Sequence, residues 1–255
     1  MKYIRENFEC SRDGLKIRGY LLKPECDGKI PTVIVSHGFA SDTRITKKYA
    51  KCFAKAGYVS VYFDFCGSGK GKSDGESVDM SVLTEKDDLS AVLDKVQSLD
   101  YVDTGRIILA GCSQGGLVSA LLAAEREADV EKLVLFYPAL CIPDDARRGS
   151  MLGGKFDPEN VPPTFKAVFV ELGAKYALEA QKLDPFKEIC AYQKPVLICH
   201  GTKDRVVDMS YAKRAEKEYQ NAKLVIVEGG DHGFIFRGFK PAMRATLEFL
   251  KDNPS

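Results

Sequence analysis

A mainly parallel β-sheet with helices on both faces is the α/β architecture that three observations in this sequence predict. Short β-branched or aromatic runs alternate with helical patterns along most of the chain. An Asp13-Gly14 pair joins two alternating segments near the start. A serine between glycines, Gly111-Cys112-Ser113-Gln114-Gly115, stands between an apolar run and a helical pattern.

The elements follow in order. Residues 3–10 and 15–22 alternate with period two around Asp13-Gly14, a turn pair that suits a hairpin, and so form an antiparallel edge. Residues 32–35 and 59–63 are apolar runs of the kind buried in parallel sheets. Between them a helical stretch, 46–56, stops at Gly57. Further strands are expected at 107–110, 133–136, 196–199 and 224–227, with helices at 83–99, 116–126, 209–219 and 241–250. Between residues 140 and 194 the alternation lapses into Pro, Gly and charge, with 165–183 as its one long helical pattern. The expectation is one domain over residues 1–255, with an insertion at about 141–193 lying over the strand ends as a lid.

Composition narrows the function. Of 255 residues 45% are hydrophobic and 29% charged, a globular mix, and 37 Lys+Arg against 36 Asp+Glu leave a net charge of +1. Such neutrality argues against nucleic acid or an anionic membrane as partner. No segment approaches the roughly 20 apolar residues of a membrane span. The first ten residues lack the apolar core of a secretion signal, so a soluble cytoplasmic protein is expected. Eight cysteines without a C-x-x-C pair read as free thiols.

G-x-S-x-G between a strand and a helix is the setting of a nucleophile elbow, in which a sharp turn projects Ser113 above the sheet. A serine hydroxyl is a poor nucleophile until a base takes its proton. The chain has three histidines, and His232 is the candidate base, in a glycine-rich loop after the last strand. It completes the order serine, acid, histidine. His200, leaving a strand, is expected to pack beneath the loop.

The acid should follow a strand between serine and histidine, and Asp204 does. Its rival Asp208 precedes a helix and is more simply an N-cap, while Asp231, adjacent to His232, should point elsewhere. Asp204 would orient His232 and stabilise the imidazolium. The oxyanion donors expected are the backbone N–H of Gln114, next after the serine, and of Phe39 in Ser36-His37-Gly38-Phe39-Ala40. His37 is read either as fixing that loop or as a core histidine. Cys112 is aimed away from the elbow. The glycine-rich stretch 64–73 lacks the spacing of a phosphate loop and is read as shaping the site.

Taken in order, His37-Gly38-Phe39, residues 64–75, Gly111 to Gly115, Asp204 and His232 resemble the α/β-hydrolase superfamily over essentially the whole chain. Ser113-Gln114-Gly115-Gly116, His200-Gly201-Thr202-Lys203-Asp204 and the insertion look like the bacterial cinnamoyl and feruloyl esterases. One departure is Cys112, where relatives often show histidine. The resemblance implies a serine carboxylesterase that cleaves hydroxycinnamate esters under a small lid. By position, Asp145 and Tyr176 look like the lid residues that meet the phenol hydroxyl in such esterases. No metal or organic cofactor is implied, and the expected partner is a small-molecule ester. The insertion, for example 156–169, offers a surface for a homodimer. The alternatives are a lipase or esterase of the monoacylglycerol lipase, lysophospholipase or short-acyl kind, and, more remotely, a non-catalytic receptor on the same fold.

Overall fold

The computed structural model describes residues 1–68 and 71–251. Asp13 and Gly14 take positive φ, 49° and 84°, and close the hairpin between β1 (Tyr3–Arg12) and β2 (Leu15–Pro24). The chain continues as β3 (Ile30–Ser36), α1 (Thr43–Lys55), β4 (Val59–Phe63), α2 (Val82–Gln97), β5 (Val102–Cys112), α3 (Gln114–Glu125) and β6 (Lys132–Phe136). After a long excursion come β11 (Val196–Gly201), α7 (Met209–Glu218), β12 (Ala222–Val227) and α8 (Phe239–Lys251). The excursion holds α4 (Ile142–Arg147), the hairpins β7 (Ser150–Met151) with β8 (Gly154–Lys155) and β9 (Thr164–Ala167) with β10 (Val170–Gly173), then α5 (Ala174–Lys182) and α6 (Pro185–Glu188).

Among the described residues eight strands form the main sheet, in the order β1-β2-β4-β3-β5-β6-β11-β12. The β1/β2 and β2/β4 pairs are antiparallel and every later pair is parallel. Side chains alternate between two cores because successive Cβ atoms point to opposite faces. On β3, Ile34 joins the core beneath α2 and α3, while Val33 and Val35 join the core beneath α1 and α8. Burying each such side chain is worth about 1.5–3 kcal/mol, and this two-sided burial is what makes the parallel strands read as unbroken apolar runs.

Two helix starts lie where polar side chains terminate the strands' connections. Asp42 accepts the N–H of Arg44 at 2.8 Å, so α1 begins three residues before the apolar pattern that predicts it. Ser81 and Thr84 form a reciprocal capping box on α2. Such a cap contributes about 1 kcal/mol.

The excursion differs from its expected form. Instead of one helix over 165–183, its first half is the β9/β10 hairpin, and only Ala174–Lys182 is helical. Burial along Thr164–Ala167 alternates residue by residue, the strand period, and Gly173 breaks the chain before α5. Of the glycine-rich stretch 64–73, Gly69 and Lys70 lie outside the described residues. Within the rest, Asp64 is buried and accepts the N–H groups of Thr43 and Lys72, tying this loop to the start of α1. Among the described residues no helix is long and apolar enough to cross a membrane.

Candidate active site

The chain reverses its direction of travel across the sheet beside β3 and β5, and ligands in open α/β sheets bind in the crevice at such a switch. Ser113 sits there, immediately after β5 and before α3, with φ 53° and ψ −118°. A non-glycine residue held in such a region costs about 1–3 kcal/mol. The surroundings hold it: Ser113 N–H donates to Phe136 O, and its carbonyl accepts from Gly116, Leu117 and Ala139. The flanking glycines permit close approach, since a Cβ on Gly111 would lie 2.2 Å from Gly115 O.

His232 follows β12 and bridges two residues from other strand ends. Its Nε2 accepts from Ser113 Oγ at 3.0 Å, and its Nδ1–H donates to Asp204 Oδ2 at 2.8 Å. Three side chains drawn from the ends of β5, β11 and β12 thus form one hydrogen-bonded line. The other oxygen of Asp204 accepts the N–H groups of Val206 and Val207, both at 2.9 Å. Burial pushes this carboxyl up, but the bonds from His232, Val207 and Val206 outweigh it and hold it below the usual carboxylate range. It is therefore ionised at neutral pH, where it fixes the His232 tautomer.

The rival acids stand where the sequence puts them. Asp208 caps α7 through Ser210 N–H, and Asp231 turns away to accept the N–H groups of Ile235, Phe236 and Arg237. His200 is fully buried; its Nε2–H donates to Val207 O at 3.0 Å and lies 3.4 Å from Asp204 Oδ2. Burial lowers its pKa, leaving it neutral. His37, also buried, accepts Phe65 N–H on Nε2 and donates from Nδ1 to Gly38 O at 2.8 Å, so it clasps the loop after β3. The Cys112 thiol, fully enclosed, is pushed up to about 11 by burial and stays protonated.

That clasped loop comes close to Ser113. A Cβ on Gly38 would stand 2.9 Å from Ser113 Cβ, so the Gly38-Phe39 backbone lies against the serine with no room for a side chain. On the other side Gln114 opens α3, where its N–H has no carbonyl a turn earlier to bond. The first turn of a helix also carries partial positive charge.

Two cavities meet at Ser113 and His232. One, about 460 Å³, lies beneath the excursion and is walled by Ile142, Asp145, Leu152, Val168, Phe169 and Val207, among others. The other, about 440 Å³, lies against α1. Asp145 therefore faces the first cavity, with an ion pair to Arg148 behind it, and burial raises its pKa. Tyr176 does not line that cavity. It is fully buried, and its hydroxyl donates to Gln114 Oε1 while its ring meets Phe39 edge-on at 6.2 Å. The two residues paired by position thus part company: one faces a ligand space, the other stands behind Gln114 and Phe39.

Two further groups escaped sequence reasoning. Glu85 of α2 accepts Gln114 Nε2–H at 2.7 Å, and its carboxyl, wholly buried, is pushed up to about 8 by desolvation. The signal was available, because Glu85 shares the inward face of α2 with Leu89 and Val92. Tyr137, just past β6, meets the His232 ring edge-on at 4.9 Å and hydrogen-bonds Tyr49 at 3.0 Å. Nothing in its local sequence singles it out.

Comparisons with known proteins identify the family and the fold. A family model described as serine aminopeptidase, S33, matches residues 29–164, and one described as TAP-like protein matches residues 176–253. The structure of Est1E from Butyrivibrio proteoclasticus with ferulic acid bound is similar at a TM-score of 0.90 and 33% identity, covering 95% of this chain and 97% of that one. The AB hydrolase superfamily protein YisY of Bacillus subtilis (strain 168) is 25% identical over 80% of this chain and 85% of its own length. The alpha/beta hydrolase domain-containing protein WAV2 of Arabidopsis thaliana is 26% identical over 94% of this chain and 76% of its own. With a family model over more than half of its length and a mixed sheet whose strand ends carry the serine, acid and histidine in order, this chain belongs to the α/β-hydrolase superfamily.

Proposed function

We propose that the chain is a serine carboxylesterase acting on hydroxycinnamate esters, with residues 141–193 serving as a lid on one domain. The observation that carries this reading is His232 bridging Ser113 and Asp204 at 3.0 and 2.8 Å. Ser113 Oγ attacks the ester carbonyl while His232 Nε2 takes its proton, and Asp204 stabilises the resulting imidazolium. The N–H groups of Phe39 and Gln114 receive the negative oxygen, each such donor being worth about 3 kcal/mol. Collapse of the intermediate breaks the bond to the alcohol oxygen, which takes the proton from His232. Water then attacks the acyl-enzyme through the same steps, releasing the carboxylic acid and restoring Ser113.

The hydroxycinnamate part rests on similarity to Est1E, whose structure holds ferulic acid, and on Asp145 facing the cavity beneath the excursion. Asp145 would accept the phenol proton of the acyl group. Eight free cysteines suit a reducing compartment, in keeping with a cytoplasmic enzyme. A second reading draws on the apolar rim formed by Val168, Phe169 and Val206, which are 54%, 61% and 67% exposed. Such a rim also suits a monoacylglycerol or short-acyl ester.

The test compares methyl ferulate, a nitrophenyl butyrate and a monoacylglycerol at equal concentration. Methyl ferulate is expected to show the highest kcat/KM. If it is the poorest of the three, the lipid or short-acyl reading replaces it.

A further inference from the structure

The backbone N–H of Gln114 serves acyl transfer only if it stays aimed at the forming oxyanion, to within about half an ångström. Its place at the start of α3 denies it the support of a preceding helical turn. The side chain supplies what the helix does not. It is 1% exposed, and both ends of its amide are taken: Nε2–H donates to Glu85 at 2.7 Å, and Oε1 accepts the Tyr176 hydroxyl. Glu85 stands on α2 and Tyr176 on α5, so two other helices grip this one residue.

Tyr176, at the base of the excursion and behind its cavity wall, also reaches the second donor residue. Its ring meets that of Phe39 edge-on at 6.2 Å. Gly115 lies so near the loop after β3 that a Cβ there would stand 2.3 Å from His37 O. The segments offering the two N–H groups are thus joined by backbone contact and by one tyrosine.

A glutamate is a costly group with which to hold an amide, because a buried carboxylate loses its hydration. Desolvation pushes the Glu85 carboxyl up to about 8, so at neutral pH it keeps its proton and places no negative charge behind the forming oxyanion. Above that value the ionised group opposes the oxyanion. Among the described residues, the titratable and charged groups around it are Asp88 on α2, paired with Arg12 of β1 at 2.6 Å, Tyr176 and Glu179 on α5, and Cys141 ahead of α4. Burial raises Tyr176 and Cys141 from values that are already high, so both stay protonated where Glu85 titrates.

We propose that Glu85 and Tyr176 are positioning residues for the oxyanion hole, acting through the Gln114 side chain, and that Glu85 also gates the rate by its charge. This rests on the serine esterase reading above.

The test is steady-state kinetics of Glu85→Leu, Glu85→Gln and Tyr176→Phe on methyl ferulate and a nitrophenyl butyrate, beside the rate at which a fluorophosphonate labels Ser113. In that labelling Ser113 Oγ displaces fluoride from phosphorus and the phosphoryl oxygen enters the same hole, so no preferred ester is needed. Removing an oxyanion donor costs about 10²–10³ in kcat, and loosening one should cost about tenfold. Glu85→Leu and Tyr176→Phe are expected to lose about that much kcat on both esters with KM steady, and to be labelled more slowly. Glu85→Gln should recover most of the loss and abolish the fall in kcat that the unaltered chain shows above pH 8. That limb is read on an isosteric variant, so it decides the role of Glu85 even where Glu85→Leu does not fold. A loss in KM on methyl ferulate alone in Tyr176→Phe places the tyrosine at the phenol and overturns its assignment here. Wild-type kcat in Glu85→Leu, or a fall above pH 8 that Glu85→Gln retains, overturns that of Glu85. Where the unaltered chain is labelled but refuses both esters, the substrate reading falls and the labelling rates still decide; where Ser113 is not labelled either, both readings fall.

Discussion

The strand ends and the excursion, the two halves of this site, are built by different means. At the strand ends the groups are tied to backbone: Asp204 by two N–H groups, Ser113 by four backbone hydrogen bonds, and the loop after β3 by the His37 ring, which bonds two backbone groups. The wall supplied by the excursion consists of side chains on short elements, two of them two-residue strands. Precision of about half an ångström is what chemistry requires, and elements of a large sheet supply it. A wall of short elements can change its shape at little cost to the sheet. We therefore expect the strand ends to set the rate for any ester, and the excursion to set which ester is preferred.

Substitutions can break that division. The largest effect is expected at Ser113→Ala and His232→Ala, each lowering kcat by about 10⁴-fold or more for every ester, with Asp204→Asn losing about 10⁴-fold. Steady-state kinetics with three acyl groups, alongside circular dichroism to verify folding, checks this; wild-type turnover in any of the three would sink the assignment. Gly38→Ala comes next. Its new methyl would press on Ser113 Cβ and displace the Phe39 N–H, so a loss of about 10²–10³ in kcat is expected with KM little changed.

Asp145→Asn should be more selective. A roughly tenfold rise in KM for methyl ferulate, with no change for an ester whose acyl ring lacks the hydroxyl, is the expected result. Equal losses on both would show that the excursion does more than select.

The smallest effect concerns stability. The buried Glu85 carboxyl is raised to about 8, above its ordinary value of 4.5, so the folded chain holds a proton that the unfolded chain has released between these values. Stability therefore falls as pH rises through that window. Glu85→Gln keeps a neutral group in place and should flatten the pH dependence of Tm between pH 5 and 8. An unchanged slope would contradict the assignment of a neutral Glu85.

Much of this was legible in the sequence, for a physical reason. Parallel strands buried on both faces leave unbroken apolar runs, so β3, β4, β6 and β11 were found near their true bounds, while the half-exposed edge strand β12 was found from its short run at 224–227. Ser113, Asp204 and His232 were legible because an elbow requires glycines and because each loop follows a recognisable strand. The β9/β10 hairpin was not, since Val168 and Val170 lie among residues whose spacing also fits a helix, and only pairing across the turn decides. Tyr176 and Glu85 were missed in their actual surroundings for a related reason. Their partner, Gln114, is 62 and 29 positions away in sequence, and periodicity carries no information about such contacts.

That three-residue chain, Tyr176 to Gln114 to Glu85, bears on how such an enzyme could be re-engineered. It fastens the base of the excursion, through α5, to the first residue of α3 and onward to α2. The excursion is not a free cassette. A transplant of residues 141–193 from a relative with another preference would need to bring a hydroxyl to position 176, or leave the Gln114 amide oxygen without its donor beside the serine. Exchanges confined to the two hairpins ahead of α5 avoid that joint, and are expected to change ester preference while leaving the surroundings of Ser113 in place.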